Sequence, residues 1–117
     1  MHSKLAFLWI GDLQVELIEP VTGLPGLYAP SLPASADGAM RFHHACMRVD
    51  DWDGFRSRLA AQDLPLVMEG EAGPLRFCYL DGRERYGHYL EYTCMPEAMW
   101  QATGGRWPPT ASSPPWP

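Results

Sequence analysis

Residues 41–49 contain the side chains that are best suited to chemistry. The segment reads Arg-Phe-His-His-Ala-Cys-Met-Arg-Val. A strand with period two places His44, Cys46 and Arg48 on one face of this segment. An imidazole, a thiol and a guanidinium are unusual on a packed surface and suit the wall of a pocket, so Arg48 is a candidate substrate contact. The other face is mostly apolar and predicts a core surface. Its one polar member, His43, is expected to be structural and to face away from His44.

Two carboxylates interrupt other strand-like runs at their centres. Glu16 lies in Leu-Gln-Val-Glu-Leu-Ile-Glu-Pro, and Glu91 lies in Gly-His-Tyr-Leu-Glu-Tyr-Thr-Cys. A carboxylate in the middle of a strand either faces solvent or belongs to a site, and Glu91 could instead pair with Arg76 across the strands. Tyr89 shares a face with Glu91 by alternation, which makes it a candidate substrate contact.

Hydrophobic periodicity and turn residues predict the elements that position these side chains. A hairpin with a Gly-Asp turn comes first, and its second strand is expected to end at Pro20 because proline interrupts strands. An amphipathic helix is expected to begin at a cap, Asp50 or Asp51. The predicted strands are 4–10, 13–20, 41–49, 66–68, 75–80 and 87–94, and the predicted helix is 52–62.

The order of these elements predicts an α+β fold. Residues 41–94 read β-α-β-β-β, and the preceding residues read as a β-hairpin. The predicted segments are a β-hairpin at 1–20, a connecting loop at 21–40, a βαβββ module at 41–95 and a Pro-rich C-terminal tail at 96–117.

Composition limits the classes of partner. The 117 residues suffice for one domain, the formal net charge is −5, and the nine Lys and Arg residues are scattered. This pattern argues against nucleic-acid binding and does not exclude a small anionic ligand held by one or two arginines. The longest apolar run is too short to cross a bilayer, so no membrane association is expected and the predicted location is cytoplasmic. Three cysteines without zinc-like spacing are expected to be reduced.

Several short motifs together resemble one enzyme superfamily. The segment His-His-Ala-Cys-Met-Arg-Val-Asp-Asp, a helix, the strand Arg-Phe-Cys-Tyr-Leu-Asp and the strand Gly-His-Tyr-Leu-Glu-Tyr resemble the second module of the vicinal oxygen chelate superfamily. This superfamily includes glyoxalase I, methylmalonyl-CoA epimerase, bleomycin-resistance proteins and extradiol dioxygenases. Gln-Val-Glu-Leu-Ile-Glu-Pro resembles the closing strand of the first module, closest to the epimerase-like branch.

The resemblance implies a glyoxalase-like fold, in which two βαβββ modules form a cupped mixed sheet. The first strand and helix of the first module have no counterpart here, so the hairpin at 1–20 is expected to be the end of a truncated first module. The sheet edge left by the missing strand would be open to pairing, which predicts a homodimer.

The resemblance also implies a site and a reaction. His44, Glu91 and Glu16 fall on positions that bind a divalent metal ion, such as Zn, Ni, Co, Mn or Fe. The implied activity is that of an isomerase, epimerase or lyase, which acts on a small carbonyl or thioester substrate through a metal-stabilised enediolate. Glu16 or Glu91 would be the catalytic base. The alternatives are a metal-free small-molecule-binding protein of the bleomycin-resistance kind, or a truncated inactive module.

Overall fold

The computed structural model describes residues 2–22, 27–28, 32 and 40–104. The fold is α+β, as predicted, with a two-stranded sheet and a four-stranded mixed sheet. In the described ranges the elements follow in the order β1 (His2–Ile10), β2 (Leu13–Thr22), β3 (His44–Arg48), α1 (Trp52–Leu59), β4 (Leu66–Ala72), β5 (Leu75–Leu80), α2 (Arg83–Tyr86), β6 (Tyr89–Cys94) and α3 (Glu97–Ala102).

The chain divides into two compact units. One unit combines Met1–Arg41 with Glu97–Pro117, and the other is Phe42–Pro96. No helix in the described part of the chain is long and apolar enough to cross a membrane. Most of the predicted loop at 21–40 and residues 105–117 of the predicted tail lie outside the described residues.

The first unit contains the antiparallel hairpin of β1 and β2. Gly11 occupies the turn with φ +61°, a conformation that glycine adopts without steric cost. The prediction that Pro20 ends the second strand is wrong, because Pro20 pairs with Ser3 inside β2. The register shifts between His2 and Ser3, and proline is tolerated beside such an irregularity.

Helix α3 also belongs to the first unit and begins the segment that was predicted only as a Pro-rich tail. The indole Nε1 of Trp9 donates to the carbonyl of Thr103 at 2.8 Å. The Trp9 ring meets the Trp100 ring edge to face, with centroids 5.3 Å apart. These contacts join α3 to β1 within this unit.

The second unit has the predicted βαβββ order, with the short helix α2 inserted before its last strand. The sheet order is β3-β6-β5-β4, in which β3 and β6 are parallel and the other neighbours are antiparallel. β4 continues to Ala72, four residues beyond its predicted end at Met68. In this order β6, the last strand of the unit along the chain, lies in the interior of the sheet between β3 and β5.

Helix α1 covers one face of this sheet. Its side chains Trp52 and Phe55 form a buried cluster with Cys78 of β5. Asp51 is the N-cap, and its carboxylate accepts a hydrogen bond from the backbone N–H of Gly54 at 3.0 Å. The helix ends at Leu59, three residues before its predicted end. The strand register places His44 and Glu91 on the opposite face of the sheet from this cluster.

Candidate functional site

The structure brings two of the predicted site residues together. His44 is the first residue of β3, and Glu91 is the third residue of the neighbouring parallel strand β6. The imidazole Nε2 of His44 lies 3.1 Å from Oε1 of Glu91. The two side chains are 8% and 16% exposed, so the pair is only partly accessible to solvent. An imidazole beside a carboxylate can bind a cation or move a proton.

His43 is placed differently from the prediction. We expected it to face away from His44, but its Nδ1 lies 2.8 Å from Nδ1 of His44, and the two rings are nearly perpendicular. The expectation failed because β3 begins only at His44, so the alternation of a strand does not extend to the preceding residue. The ring of His43 also lies 5.0 Å from the ring of Tyr89. His43, His44 and Glu91 thus form a continuous row of polar contacts.

Two buried tyrosines lie beneath this row. Tyr79 is 5% exposed, and its ring meets the ring of His44 at a centroid distance of 5.0 Å. Tyr89, predicted as a substrate contact, is 4% exposed and packs against His43. The backbone N–H of Tyr89 also donates to the carbonyl of His43 at 3.0 Å. These contacts hold the two imidazoles in place.

Helix α2 supports the site from the side of Tyr89. The guanidinium of Arg83 lies 4.8 Å from the centroid of the Tyr89 ring, within the range of a cation–π contact. The same guanidinium donates two hydrogen bonds to the carboxylate of Asp81, at 2.8 and 3.0 Å. These bonds lower the pKa of Asp81 below its usual value. Arg83 and Asp81 were not predicted to lie at the site, because Asp-Gly at 81–82 indicates only a turn.

Arg48, the other predicted substrate contact, lies on β3 in register with Thr93. Its Nη2 lies 3.8 Å from a carboxylate oxygen of Asp50, and its side chain is 18% exposed. Burial lowers the pKa of Arg48, and the charge of Asp50 partly opposes this effect. Next to it on the same face, the thiol of Cys46 lies 3.1 Å from the hydroxyl of Thr93.

Glu16, the third predicted metal ligand, lies in the first unit. It occupies the middle of β2 opposite Phe7 and is partly buried. Among the residues that the structure describes, no group of three His, Cys, Asp or Glu side chains is arranged to hold a metal ion. Two of the three predicted ligands, His44 and Glu91, are therefore adjacent in the structure.

Two pockets in the second unit lie away from this pair. The larger, of about 540 Å³, lies beside α1 and is lined by Arg48, Phe55, Leu59 and Tyr92 among others. The smaller, of about 220 Å³, is bordered by the ion pair of Arg56 and Glu69. Neither pocket includes His44 or Glu91. These two pockets and the polar row are therefore separate features of the second unit.

Comparisons with known proteins bear on the fold alone. No family model matches the sequence. No curated protein matches it either. The chain is similar to the crystal structure of a hypothetical protein from Bacillus halodurans C-125, with a TM-score of 0.61 and 19% sequence identity over 81% of this chain and 68% of that chain. At this identity the similarity shows a shared fold and carries no information about activity.

Proposed function

We propose that the protein is a glyoxalase-like metal-dependent isomerase, epimerase or lyase, which acts on a small carbonyl or thioester substrate. The observation that carries the proposal is the adjacency of His44 and Glu91 on parallel strands, with 3.1 Å between Nε2 and Oε1. The βαβββ order of the second unit also supports it. The superfamily that the sequence resembles is built from modules of this order, and the proposed function comes from that resemblance.

The His44 and Glu91 pair fits two positions in the coordination shell of a divalent ion. Imidazole nitrogen and carboxylate oxygen suit Zn, Ni, Co, Mn and Fe(II). Nε2 of His44 and Oε1 of Glu91, which lie 3.1 Å apart, would be the two donor atoms. In this proposal, further ligands come from a second copy of the chain.

The metal, when bound, would act as a Lewis acid that polarises the substrate carbonyl. The chain itself would supply the proton transfer, with the carboxylate of Glu91 as the base that removes the proton next to that carbonyl. His44 adjoins Glu91 and would fix the direction of its carboxylate. Arg48, which shares a face of β3 with His44 by alternation and also lines the pocket beside α1, would bind an anionic group of the substrate.

The proposal includes a homodimer. Four apolar side chains of the hairpin are each 50% exposed or more: Leu5, Phe7, Ile10 and Leu13. Exposed apolar surface of this kind favours a partner, and a second copy would also offer further ligands. A cytoplasmic location belongs to the same proposal, because Cys78 and Cys94 are free thiols and thiols stay reduced in that compartment.

A second candidate is a metal-free protein that binds a small aromatic or hydrophobic ligand. The aromatic rings near the polar row favour it, since Phe77 and Tyr79 meet edge to face at 6.3 Å. Phe42 contributes a further ring, exposed to solvent and packed against His88. In this case His44 and Glu91 would bind polar groups of the ligand directly.

An exchange experiment separates the two candidates. The untagged protein, loaded in turn with Zn, Ni, Co, Mn and Fe(II), is incubated in deuterated water with a panel of small α-hydroxy ketones and acyl thioesters. We expect metal-dependent incorporation of deuterium next to the carbonyl, and its loss in His44→Ala and Glu91→Gln but not in His88→Ala. Absence of exchange with every metal, together with binding of an aromatic probe in the presence of a chelator, would favour the second candidate.

A further inference from the structure

His44 uses both of its ring nitrogens. Its Nε2 faces Glu91 at 3.1 Å, and its Nδ1 faces Nδ1 of His43 at 2.8 Å. The proposed metal site involves only the first of these contacts. The contact between the two imidazoles is short enough for a hydrogen bond, so one Nδ1 atom must donate and the other must accept.

The carboxylate of Glu91 decides which Nδ1 donates when no metal is bound. When the imidazole of His44 is neutral, the carboxylate of Glu91, which only accepts hydrogen bonds, selects the tautomer of His44 that carries its proton on Nε2. The neutral imidazole of His44 then has a lone pair on Nδ1. His43 must carry its own proton on Nδ1 and donate it to His44. Glu91 therefore sets the tautomers of both histidines in this first arrangement.

A cation bound at Nε2 of His44 requires the opposite arrangement. The lone pair of Nε2 is then used, so the proton of His44 lies on Nδ1 and is donated to Nδ1 of His43. Between the two arrangements, one proton passes from His43 Nδ1 to His44 Nδ1. One proton leaves His44 Nε2 to solvent, and one is taken from solvent at His43 Nε2. Both rings remain neutral, and the charge of the two histidines does not change.

We infer that His43 is a positioning residue whose tautomer is coupled to that of His44. The role needs a group that can both donate and accept at one place, which imidazole does by exchanging tautomers. His43 is also well held, because its carbonyl accepts from the N–H of Tyr89 at 3.0 Å and its ring packs against the Tyr89 ring. The part of this inference that concerns metal binding rests on the proposed function; the coupling in the metal-free protein does not.

Nitrogen-15 NMR of the imidazoles in the untagged protein tests the coupling directly. Without metal, at a pH at which both imidazoles are neutral, we expect the proton of His44 on Nε2 and the proton of His43 on Nδ1. With Zn²⁺, which is diamagnetic, we expect both assignments to exchange. A metal-free spectrum with the proton of His44 on Nδ1 would overturn the inference. This measurement uses only the wild-type chain, so it stands even if a variant fails to fold.

Zinc affinity measured by calorimetry tests the positioning role. His43→Phe keeps a ring but removes both nitrogens, and we expect it to weaken Zn²⁺ binding about 10- to 100-fold, as the loss of other hydrogen-bond partners of metal-binding histidines does. His43→Asn retains an amide that can donate or accept near the Nδ1 position, and we expect it to restore most of the affinity. His88→Phe is the matched control and should bind as the wild type does.

The outcomes separate this inference from the proposed function. Equal Zn²⁺ affinity in wild type and His43→Phe overturns the positioning role while leaving the metal site intact. If the wild type binds no Zn²⁺, the proposed function fails, and the metal-free spectrum alone decides the coupling. Protons on His44 Nε2 and His43 Nδ1 then still support it.

Discussion

Nε2 of His44 on β3 lies 3.1 Å from Oε1 of Glu91 on β6. These residues are distant in sequence and become neighbours because the last strand of the second unit pairs in parallel with the first. The contact therefore depends on the packing that holds this sheet together. Predictions about that packing test the scaffold of the site, and predictions about the pair test its chemistry.

The cluster beneath α1 should dominate the stability of the second unit. Phe55 is 8% exposed and packs against Trp52 and Tyr92. Phe55→Ala removes most of this buried ring, and we expect the free energy of unfolding to fall by about 3–5 kcal/mol. Urea denaturation followed by circular dichroism measures the change. Ser57→Ala, on the exposed side of the same helix, should change it little, and equal effects of the two variants would contradict the described core.

The N-cap of α1 provides a second stability test. The carboxylate of Asp51 accepts from the N–H of Gly54, so Asp51→Ala leaves that donor without its side-chain partner. We expect a loss of about 0.5–2 kcal/mol in the free energy of unfolding. Asp50→Ala is the control for the other candidate cap. The exposed carboxylate of Asp50 forms only a long contact with Arg48, at 3.8 Å, so this variant should lose less stability. A larger loss of stability in Asp50→Ala than in Asp51→Ala, measured by thermal denaturation, would show that Asp51 is not the cap.

Stability at acidic pH should depend on Asp81. Hydrogen bonds from Arg83 lower the pKa of Asp81 in the folded protein, while the unfolded chain has the ordinary value of about 3.9. The folded state therefore gains stability above that value and loses it as the pH falls through the lower folded pKa. We expect Asp81→Asn to be less stable than wild type at neutral pH and to lose less stability on acidification. Denaturation curves between about pH 6 and pH 2 measure this difference. Glu84→Gln, in the same short helix, should keep the wild-type profile.

Stability at alkaline pH should depend on Cys78. Burial raises the pKa of the Cys78 thiol, so the folded state favours the neutral form. Its contribution to stability is complete below the ordinary thiol value of about 8.5 and is lost as the pH rises through the folded pKa. We expect Cys78→Ala to show a shallower decline in stability above that value, although the raised pKa of Tyr92 will leave some decline. Identical slopes in the variant and the wild type would show that the thiol has no such role.

The sequence predicts the order of strands and the first helix because each has a clear hydrophobic period. It does not predict α2, since four residues are too few to establish a helical period. It underestimates β4 because Gly70 and the flanking glutamates resemble a turn, although they continue a strand paired with β5. The cap at Asp51 could be predicted only to within one residue.

The site was predictable to the extent that it depends on strand alternation and on the motifs around His44 and Glu91. The position of the His43 side chain was not predictable. Alternation applies only within a strand, and the sequence does not show whether β3 begins at His43 or at His44. Arg83 was missed because its proximity to the site depends on the pairing order of strands far apart in the chain. A single sequence contains no local signal for such pairing.

A titration tests metal binding by the His44 and Glu91 pair most directly. The untagged wild type, His44→Ala, Glu91→Gln and the exposed control Glu71→Gln are each titrated with Zn²⁺ and Co²⁺ by calorimetry, and their metal content is measured after dialysis. We expect specific binding by the wild type and by Glu71→Gln, and its loss in both site variants. Absence of binding by the wild type, or unchanged affinity in Glu91→Gln and His44→Ala, would contradict this expectation.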